Sequence, residues 1–167
     1  NSPSQGNSVV EIGDHCLFMP FCHVAHNCQL GNNVIMHNHA ALAGYVIVEE
    51  NVTIGSMTGV HQFVRLGRHA QVKSMSWILN DILPYTIVSG IPANFEPFDP
   101  TSLVRQGLSL ESVREFYKAL MLFNHHNLHL EEILARIELE CIPVPEIKHL
   151  VHFCRQTKRG LLTFHGK

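Results

Sequence analysis

Residues 12–82 read IGDHCLFMPFCHVAHNCQLGNNVIMHNHAALAGYVIVEENVTIGSMTGVHQFVRLGRHAQVKSMSWILNDI. Every sixth residue from Ile12 is large and apolar: Ile12, Phe18, Val24, Leu30, Met36, Leu42, Val48, Ile54, Val60, Leu66, Val72 and Ile78. Four places further on in each repeat stands a mostly small or β-branched residue: Cys16, Cys22, Cys28, Val34, Ala40, Val46, Val52, Thr58, Val64, Ala70, Ser76 and Ile82. Glycine follows the large residue at Gly13, Gly31, Gly55 and Gly67. A period of six is neither helical nor simple alternation. Within it, the small residue and the next large one are two apart, which puts both on one side of a short strand. The other positions carry Gly, Asn, His and polar residues suited to turning the chain. Three strands and three turns make a coil of 18 residues, so this segment holds four coils of a parallel β-helix. Each coil buries three large side chains, worth roughly 1.5–3 kcal/mol apiece before chain entropy is subtracted. Cys16, Cys22 and Cys28 fall in the small inward column and read as core residues rather than metal ligands.

Outward from the repeat, residues 1–11 form a short lead-in. A solenoid needs its ends covered, and the chain begins without Met and almost directly in a repeat. Missing N-terminal coils are the expectation. Pro84, Pro92, Pro97 and Pro100 mark an irregular crossing segment, so the β-helix with its crossing segment is assigned to 12–98 and a helical domain to 99–167. Ser109 caps a helix expected over 110–124, with Glu111 in its first turn. A second helix is expected over 129–140. Pro145 opens a third, with Arg155, Lys158 and Arg159 near its end and Gly160 as its stop.

Composition narrows the function classes. The chain is 46% hydrophobic and 16% charged, with a formal net charge of −2, so general nucleic-acid binding is not expected. No apolar run is long enough to span a membrane, and residues 1–8, NSPSQGNS, do not read as a signal peptide. Five cysteines without a CxxC pair fit a reducing, cytoplasmic setting better than a disulfide framework.

Residues 18 apart stack on neighbouring coils, about 4.8 Å apart. On the face of Val24, Leu42, Val60 and Ile78, one outward column reads His23, Ala41, Gly59, Trp77 and the next Ala25, Ala43, His61, Leu79. The following corner carries His26, Gly44, Gln62 and Asn80. Small residues leave room for a ligand, and histidines and a glutamine line that room; a packed subunit interface is the other reading, compatible with the first. A corner histidine beside a glycine N–H suits acyl transfer, with the imidazole as general base and the N–H holding the oxyanion.

The stretches IGDHCLFMPFCHVAHNCQLGNN and LAGYVIVEENVTIGSMTGVHQFVRLG resemble the UDP-N-acetylglucosamine O-acyltransferases that begin lipid A synthesis. The likeness runs on to HFCRQTKRG and covers the C-terminal part of that family's chain. It implies a left-handed parallel β-helix with a small α-helical C-terminal domain, assembled as a homotrimer. The implied reaction moves an (R)-3-hydroxyacyl chain from acyl carrier protein to the 3-hydroxyl of UDP-N-acetylglucosamine, with no cofactor and no metal. By the resemblance His26 is the general base and Gly44 the oxyanion-hole glycine. His23, His61 and Gln62 position the sugar nucleotide and Arg105 binds its phosphate. The basic end of the last helix meets the acidic carrier protein, unless it is a solvated helix end.

The chain departs from the family pattern at several places. Asn27 stands where an Asp is frequent, Tyr45 where a His is usual, Asp99 for an asparagine and Gln106 for a second arginine. Asp99 is expected to repel a diphosphate. Lys73, Ser74 and Met75 lie where small glycines admit the acyl tail, and their bulk is expected to shorten the chain that fits. Three other readings stand beside this one: the related β-helical N-acyltransferase of the same pathway, a zinc enzyme using His23, His26 and His61, and a truncated non-catalytic trimeric scaffold.

Overall fold

A computed structural model describes residues 8–124 and 128–163. Two-residue strands alternate with turns, and three faces result. The first face stacks β1 (Glu11–Ile12), β4 (Gln29–Leu30), β7 (Ile47–Val48) and β10 (Arg65–Leu66). The second stacks β2 (Leu17–Phe18), β5 (Ile35–Met36), β8 (Thr53–Ile54) and β11 (Gln71–Val72), and continues into β13 (Ile87–Ser89) and β14 (Asn94–Phe95). The third stacks β3 (His23–Val24), β6 (Ala41–Leu42), β9 (Gly59–Val60) and β12 (Trp77–Ile78). The coil-to-coil pairs are parallel, in the register the columns imply: His23 opposite Ala41, Ala41 opposite Gly59, Gly59 opposite Trp77.

The large inward column is closed from solvent from Leu30 to Ile78. Cys28 is buried, while Cys16 and Cys22 pack half-buried against the same core. The glycines after the large residues reflect close approach of the next coil. A Cβ at Gly55 would lie 2.3 Å from the Ser74 nitrogen.

The turns are less polar than expected. Twelve described non-glycine residues have positive φ, at every sixth place from His15 to Met75 and then at Tyr85. Phe21, Tyr45, Met57, Phe63 and Met75 are among them. Each such residue in a side chain-bearing L-amino acid costs about 1–2 kcal/mol. The conformation turns the amide toward the preceding coil, where it is satisfied: Tyr45 N donates to His26 O at 3.1 Å and Phe63 N to Gly44 O at 3.2 Å.

The period breaks after Ile78. Val72 pairs with Val88 and Leu66 with Ile82, a spacing of 16 rather than 18. Ile82 therefore sits across from the large column, not in the small one where a strict six-residue period puts it. The loss of two residues lets the chain leave the prism through the β13–β14 hairpin.

Four helices follow. α1 (Pro100–Arg105) lies where sequence alone indicates no helix. α2 (Leu110–Leu122) is capped by Ser109, whose hydroxyl accepts from Ser112 N at 3.0 Å. α3 spans Leu130–Glu140, and Glu132 accepts from His129 N at 2.7 Å. α4 spans Pro145–Arg155 and ends five residues before Gly160, so Lys158 and Arg159 lie in the strap beyond it rather than in the helix. Phe116, Leu134, Leu150 and Phe153 form the second core, with Leu83 and Tyr85 reaching into it from the crossing segment. No helix among the described residues is long and apolar enough to cross a membrane.

Two polar joints fix the helices to the β-helix. Arg65 donates to Phe153 O at 3.0 Å and to Gln156 Oε1 at 3.1 Å, with its guanidinium 4.3 Å from the Phe153 ring centre. Beside it, His149 Nε2 is 2.9 Å from Glu49 Oε2. The second joint is Asp81, fully buried. Its carboxylate accepts from Arg65 N at 2.8 Å and from Thr157 Oγ1 at 2.6 Å, and its main chain pairs with Gly160 and Leu162.

Burial pushes the Asp81 carboxyl above its usual range, more than Thr157, the Arg65 N–H and the charges of Arg65 and Arg159 bring it back. The folded chain thus holds this proton more tightly than the unfolded one. That contribution is complete below the unfolded value, about 3.9, and is lost as pH rises through the folded value. Asp81→Asn removes the loss. In denaturant titrations across pH, the variant gains on the wild type as pH rises from about 4 toward neutral; a difference that stays constant with pH contradicts this assignment.

Candidate functional site

The corner after the third face carries the chemically dense cluster. Asn27 takes the positive-φ turn position, at 61°, and leaves His26 exposed just before it. The imidazole lies against Gly44, one coil on. A Cβ there would stand 2.6 Å from Cε1 and 2.9 Å from Nε2 of His26. Asn27 Oδ1 is 3.0 Å from His26 Nδ1. With the amide oxygen accepting, Nδ1 carries the proton and Nε2 presents a lone pair. Tyr45 meets the ring edge-on, with centroids 5.3 Å apart, and Phe63 stacks on Tyr45 at 5.0 Å. A glycine, an amide and an aromatic edge therefore fix the imidazole from three sides. The Gly44 N–H makes no hydrogen bond among the described residues and is available as a donor.

His23 lies exposed on the third face, in register with Ala41. His61 is half-buried two coils above, its Nδ1 3.3 Å from Gln62 O, and Gln62 is exposed at the corner. These residues share one edge of the prism with His26 and Gly44. Among the described residues no three His, Cys, Asp or Glu side chains converge as a metal site.

Arg105 lies elsewhere. It closes α1 and borders a groove with Asn33, Asn51 and His69, the corner between the first and second faces. In a single chain it is not brought to His26. In that groove, His69 Nδ1 is 2.9 Å from Gln106 Oε1 and its Nε2 3.3 Å from Asn51 Nδ2. Burial pushes the His69 imidazole below its ordinary value, against the opposing effects of Gln106 and Glu50. Asp99, expected to repel a diphosphate, is the N-cap of α1: Oδ1 accepts from Thr101 N at 3.0 Å and Ser102 N at 3.1 Å. Its charge is thus directed at a helix N-terminus.

Lys73, Ser74 and Met75 form the opposite corner of the third face, in the fourth coil. Lys73 pairs with Glu96 at 3.3 Å, and Glu96 also accepts from Ser89. Ser74 Oγ accepts from Ser56 N at 3.1 Å, and Met75 is exposed. The Tyr45–Phe63 ladder is a feature that residue chemistry alone passes over. Its signal is present in the sequence, as two aromatics 18 apart at turn positions beside His26.

The family profile for UDP N-acetylglucosamine O-acyltransferase, domain 2, matches residues 81–162, and that for the bacterial transferase hexapeptide of six repeats matches 10–44. A protein from Gloeothece citriformis, named acyl-[acyl-carrier-protein]--UDP-N-acetylglucosamine O-acyltransferase, is 36% identical over 94% of this chain and 56% of its own. One of the same name from Anaeromyxobacter sp. (strain K) is 33% identical over 93% of this chain and 61% of its own. The crystal structure of the UDP-N-acetylglucosamine O-acyltransferase from Moraxella catarrhalis superposes with a TM-score of 0.85 at 29% identity, over 92% of this chain and 60% of that one.

The chain belongs to the UDP-N-acetylglucosamine O-acyltransferase family.

It spans about three fifths of the length of these relatives. Within the family fold, the contact between His26 and Gly44 makes a direct prediction. Gly44→Ala displaces the imidazole, because the new methyl needs the space the ring occupies, while an exposed ring can swing away at little cost to the fold. Ring resonances of His26 move in nuclear magnetic resonance spectra while the melting temperature stays close to that of the wild type. Unchanged resonances contradict the contact.

Proposed function

We propose that this chain carries the acyl-transfer centre of an enzyme that moves an (R)-3-hydroxyacyl group from acyl carrier protein to the 3-hydroxyl of UDP-N-acetylglucosamine, the first step of lipid A synthesis. The observation that supports it best is the His26 imidazole, seated on Gly44 with Nδ1 turned to Asn27. The relatives' names supply the donor and acceptor classes.

Nε2 of His26 takes the proton of the sugar hydroxyl as its oxygen attacks the thioester carbonyl. The carbonyl oxygen becomes an oxyanion and receives the Gly44 N–H. Collapse re-forms the carbonyl, breaks the C–S bond, and the departing thiolate recovers the proton from the imidazolium. Atoms balance without a covalent enzyme intermediate. Asn27 orients the ring but, being neutral, supports the imidazolium less than a carboxylate does. His23, His61 and Gln62 position the sugar, and Lys73, Ser74 and Met75 border the path of the acyl tail.

The reading is tested by following transfer from a series of hydroxyacyl carrier proteins to the UDP-sugar and to its 3-amino counterpart. His26→Ala loses about 10²–10⁴ in rate with its fold intact. A rate that survives the substitution, or transfer only to the amine, overturns the assignment.

Arg105 requires a second copy of the chain. Within one chain it lies at a different corner from His26, so both reach one UDP-sugar only across an interface between copies, as a trimer would place them. Each of His26→Ala and Arg105→Ala alone is poorly active. Mixed refolding of the two restores activity, because some interfaces then pair an intact His26 with an intact Arg105. No recovery on mixing excludes a shared site.

A further inference from the structure

Trp77 is the only tryptophan in the chain, and no step above uses it. It is 47% exposed. A Cβ at Gly59 would lie 2.4 Å from its Cζ3 and 2.6 Å from its Cε3. The six-membered ring therefore rests on the glycine's backbone, one coil below. One side of the indole is sealed by the sheet and the other is open. The main chain beneath it is held on both sides: Trp77 N donates to Gly90 O at 2.9 Å, and its carbonyl accepts from Ala93 N at 3.1 Å. The platform is fixed rather than a loose surface side chain.

Its surroundings set what it can bind. The outward columns of the third face contain no Asp, Glu, Lys or Arg. From the His26 corner, the floor is Ala25, Ala43 and Ala41, and it ends where the indole covers Gly59. Past the indole, the exposed large apolar side chains are Met57, Met75 and Ile91, beside the exposed Ser74 and Lys73, the latter paired with Glu96. His23 and His61 are the polar side chains of these columns, and the floor of Ala25, Ala41 and Ala43 offers neither a cation for a diphosphate nor a polar partner for a sugar. It suits a saturated hydrocarbon chain, whose burial is favoured in proportion to its apolar area. Along the stack, Trp77 lies three coils on from His26, roughly 14 Å from backbone to backbone.

We propose that Trp77, seated on Gly59, is a specificity-determining residue that limits the length of the acyl chain taken by this site. The proposal rests on the acyl-transfer reading above and adds a residue of the third face to the corner residues 73–75. Gly59 is part of the device, since any side chain there lifts the ring into the strip.

Trp77 is also its own reporter. Its emission is followed while the protein is titrated with 3-hydroxyacyl-pantetheine thioesters of increasing length, and separately with UDP-N-acetylglucosamine. Transfer rates over the same donor series are measured for the wild type, Trp77→Ala and Trp77→Phe. The expected result is a saturable blue shift with the thioesters and none with the UDP-sugar. Trp77→Ala moves the optimum to longer chains, by roughly tenfold or more in kcat/KM for each added methylene that it accommodates. Trp77→Phe retains the wild-type preference. An active Trp77→Ala with unchanged chain preference overturns the proposal, as does emission that ignores the thioesters. If Trp77→Ala does not fold, a Trp77→Phe optimum matching the wild type together with the blue shift sustains it, and a flat emission trace ends it. If the wild type transfers no chain but its emission follows thioester length, the acyl-transfer reading fails while the Trp77 contact stands. Flat emission without transfer ends both.

Discussion

The structure depends on one backbone constraint, a left-handed turn residue at every sixth position whose amide bonds to the coil beneath. Asn33, His39, Tyr45, Asn51, Met57, Phe63, His69 and Met75 each donate to a carbonyl of the preceding coil. Positive φ is costly for a residue with a side chain. Here the cost is tied to an inter-coil hydrogen bond, and some of the side chains then stack on their counterparts 18 residues away, as Tyr45 does on Phe63. A slip by one residue would break these bonds and turn the apolar columns outward. Register is therefore specified twice, by the corner amides and by the core. The precision of the site is inherited from that register.

The same logic governs how the helices are held. Outward positions of the first face are not left to solvent where α4 packs. Arg65 and Glu49 face outward from adjacent coils and meet Phe153, Gln156 and His149. Burial alone would raise the Glu49 carboxyl, but the bonds from His149 and from the Arg68 N–H, with the charges of His149 and Arg65, hold it below its usual range. The charge is stabilised where it stands, and this support weakens as pH falls through the folded value. Asp81 on the neighbouring coil behaves in the opposite sense, since its burial is less fully offset. Two carboxylates at one junction thus respond to pH with opposite signs: each has two positive charges nearby, but Glu49 is also hydrogen-bonded by the His149 imidazole, whereas the side-chain bond to Asp81 comes from the neutral Thr157 hydroxyl.

Most of the fold was legible in the columns, because a period-six pattern with two independent signatures has few structural solutions. The reading failed where the period did. Ile82 continues the arithmetic of the small column, but two residues are lost after Ile78 and it pairs with Leu66 instead. No local signal marks that loss, since Ile suits either column. Ser109 and Pro145 announced α2 and α4 through capping chemistry. α1 was missed because its cap, Asp99, sits among prolines that read as an irregular segment. Asp99 also carries a structural duty that its charge does not announce, since one of its oxygens accepts from two backbone amides. The cluster at His26 was legible because residues 18 apart must stack. Arg105 was not, because its place depends on the end of the β-helix, where stacking arithmetic stops.

One motif appears twice and connects scaffold to chemistry. His26 rests on Gly44 from the coil below, and Trp77 rests on Gly59 from the coil above. In a β-helix, an outward side chain has a neighbour's Cβ about 4.8 Å away along the stack. A ring can lie flat on the sheet only where that neighbour lacks a Cβ. Glycine at such a place is therefore less a concession to backbone flexibility than a seat for an aromatic ring, and neither Gly44 nor Gly59 has positive φ. The two seats differ in what surrounds them. At Gly44 an amide and an aromatic edge leave one ring nitrogen free, which suits proton transfer. At Gly59 the floor beside the ring is Ala41 and Ala43 and the indole is open on one side, which suits a hydrocarbon. The same steric allowance thus seats an imidazole at one level of the third face and an indole at another, and their separation is set by the coil spacing.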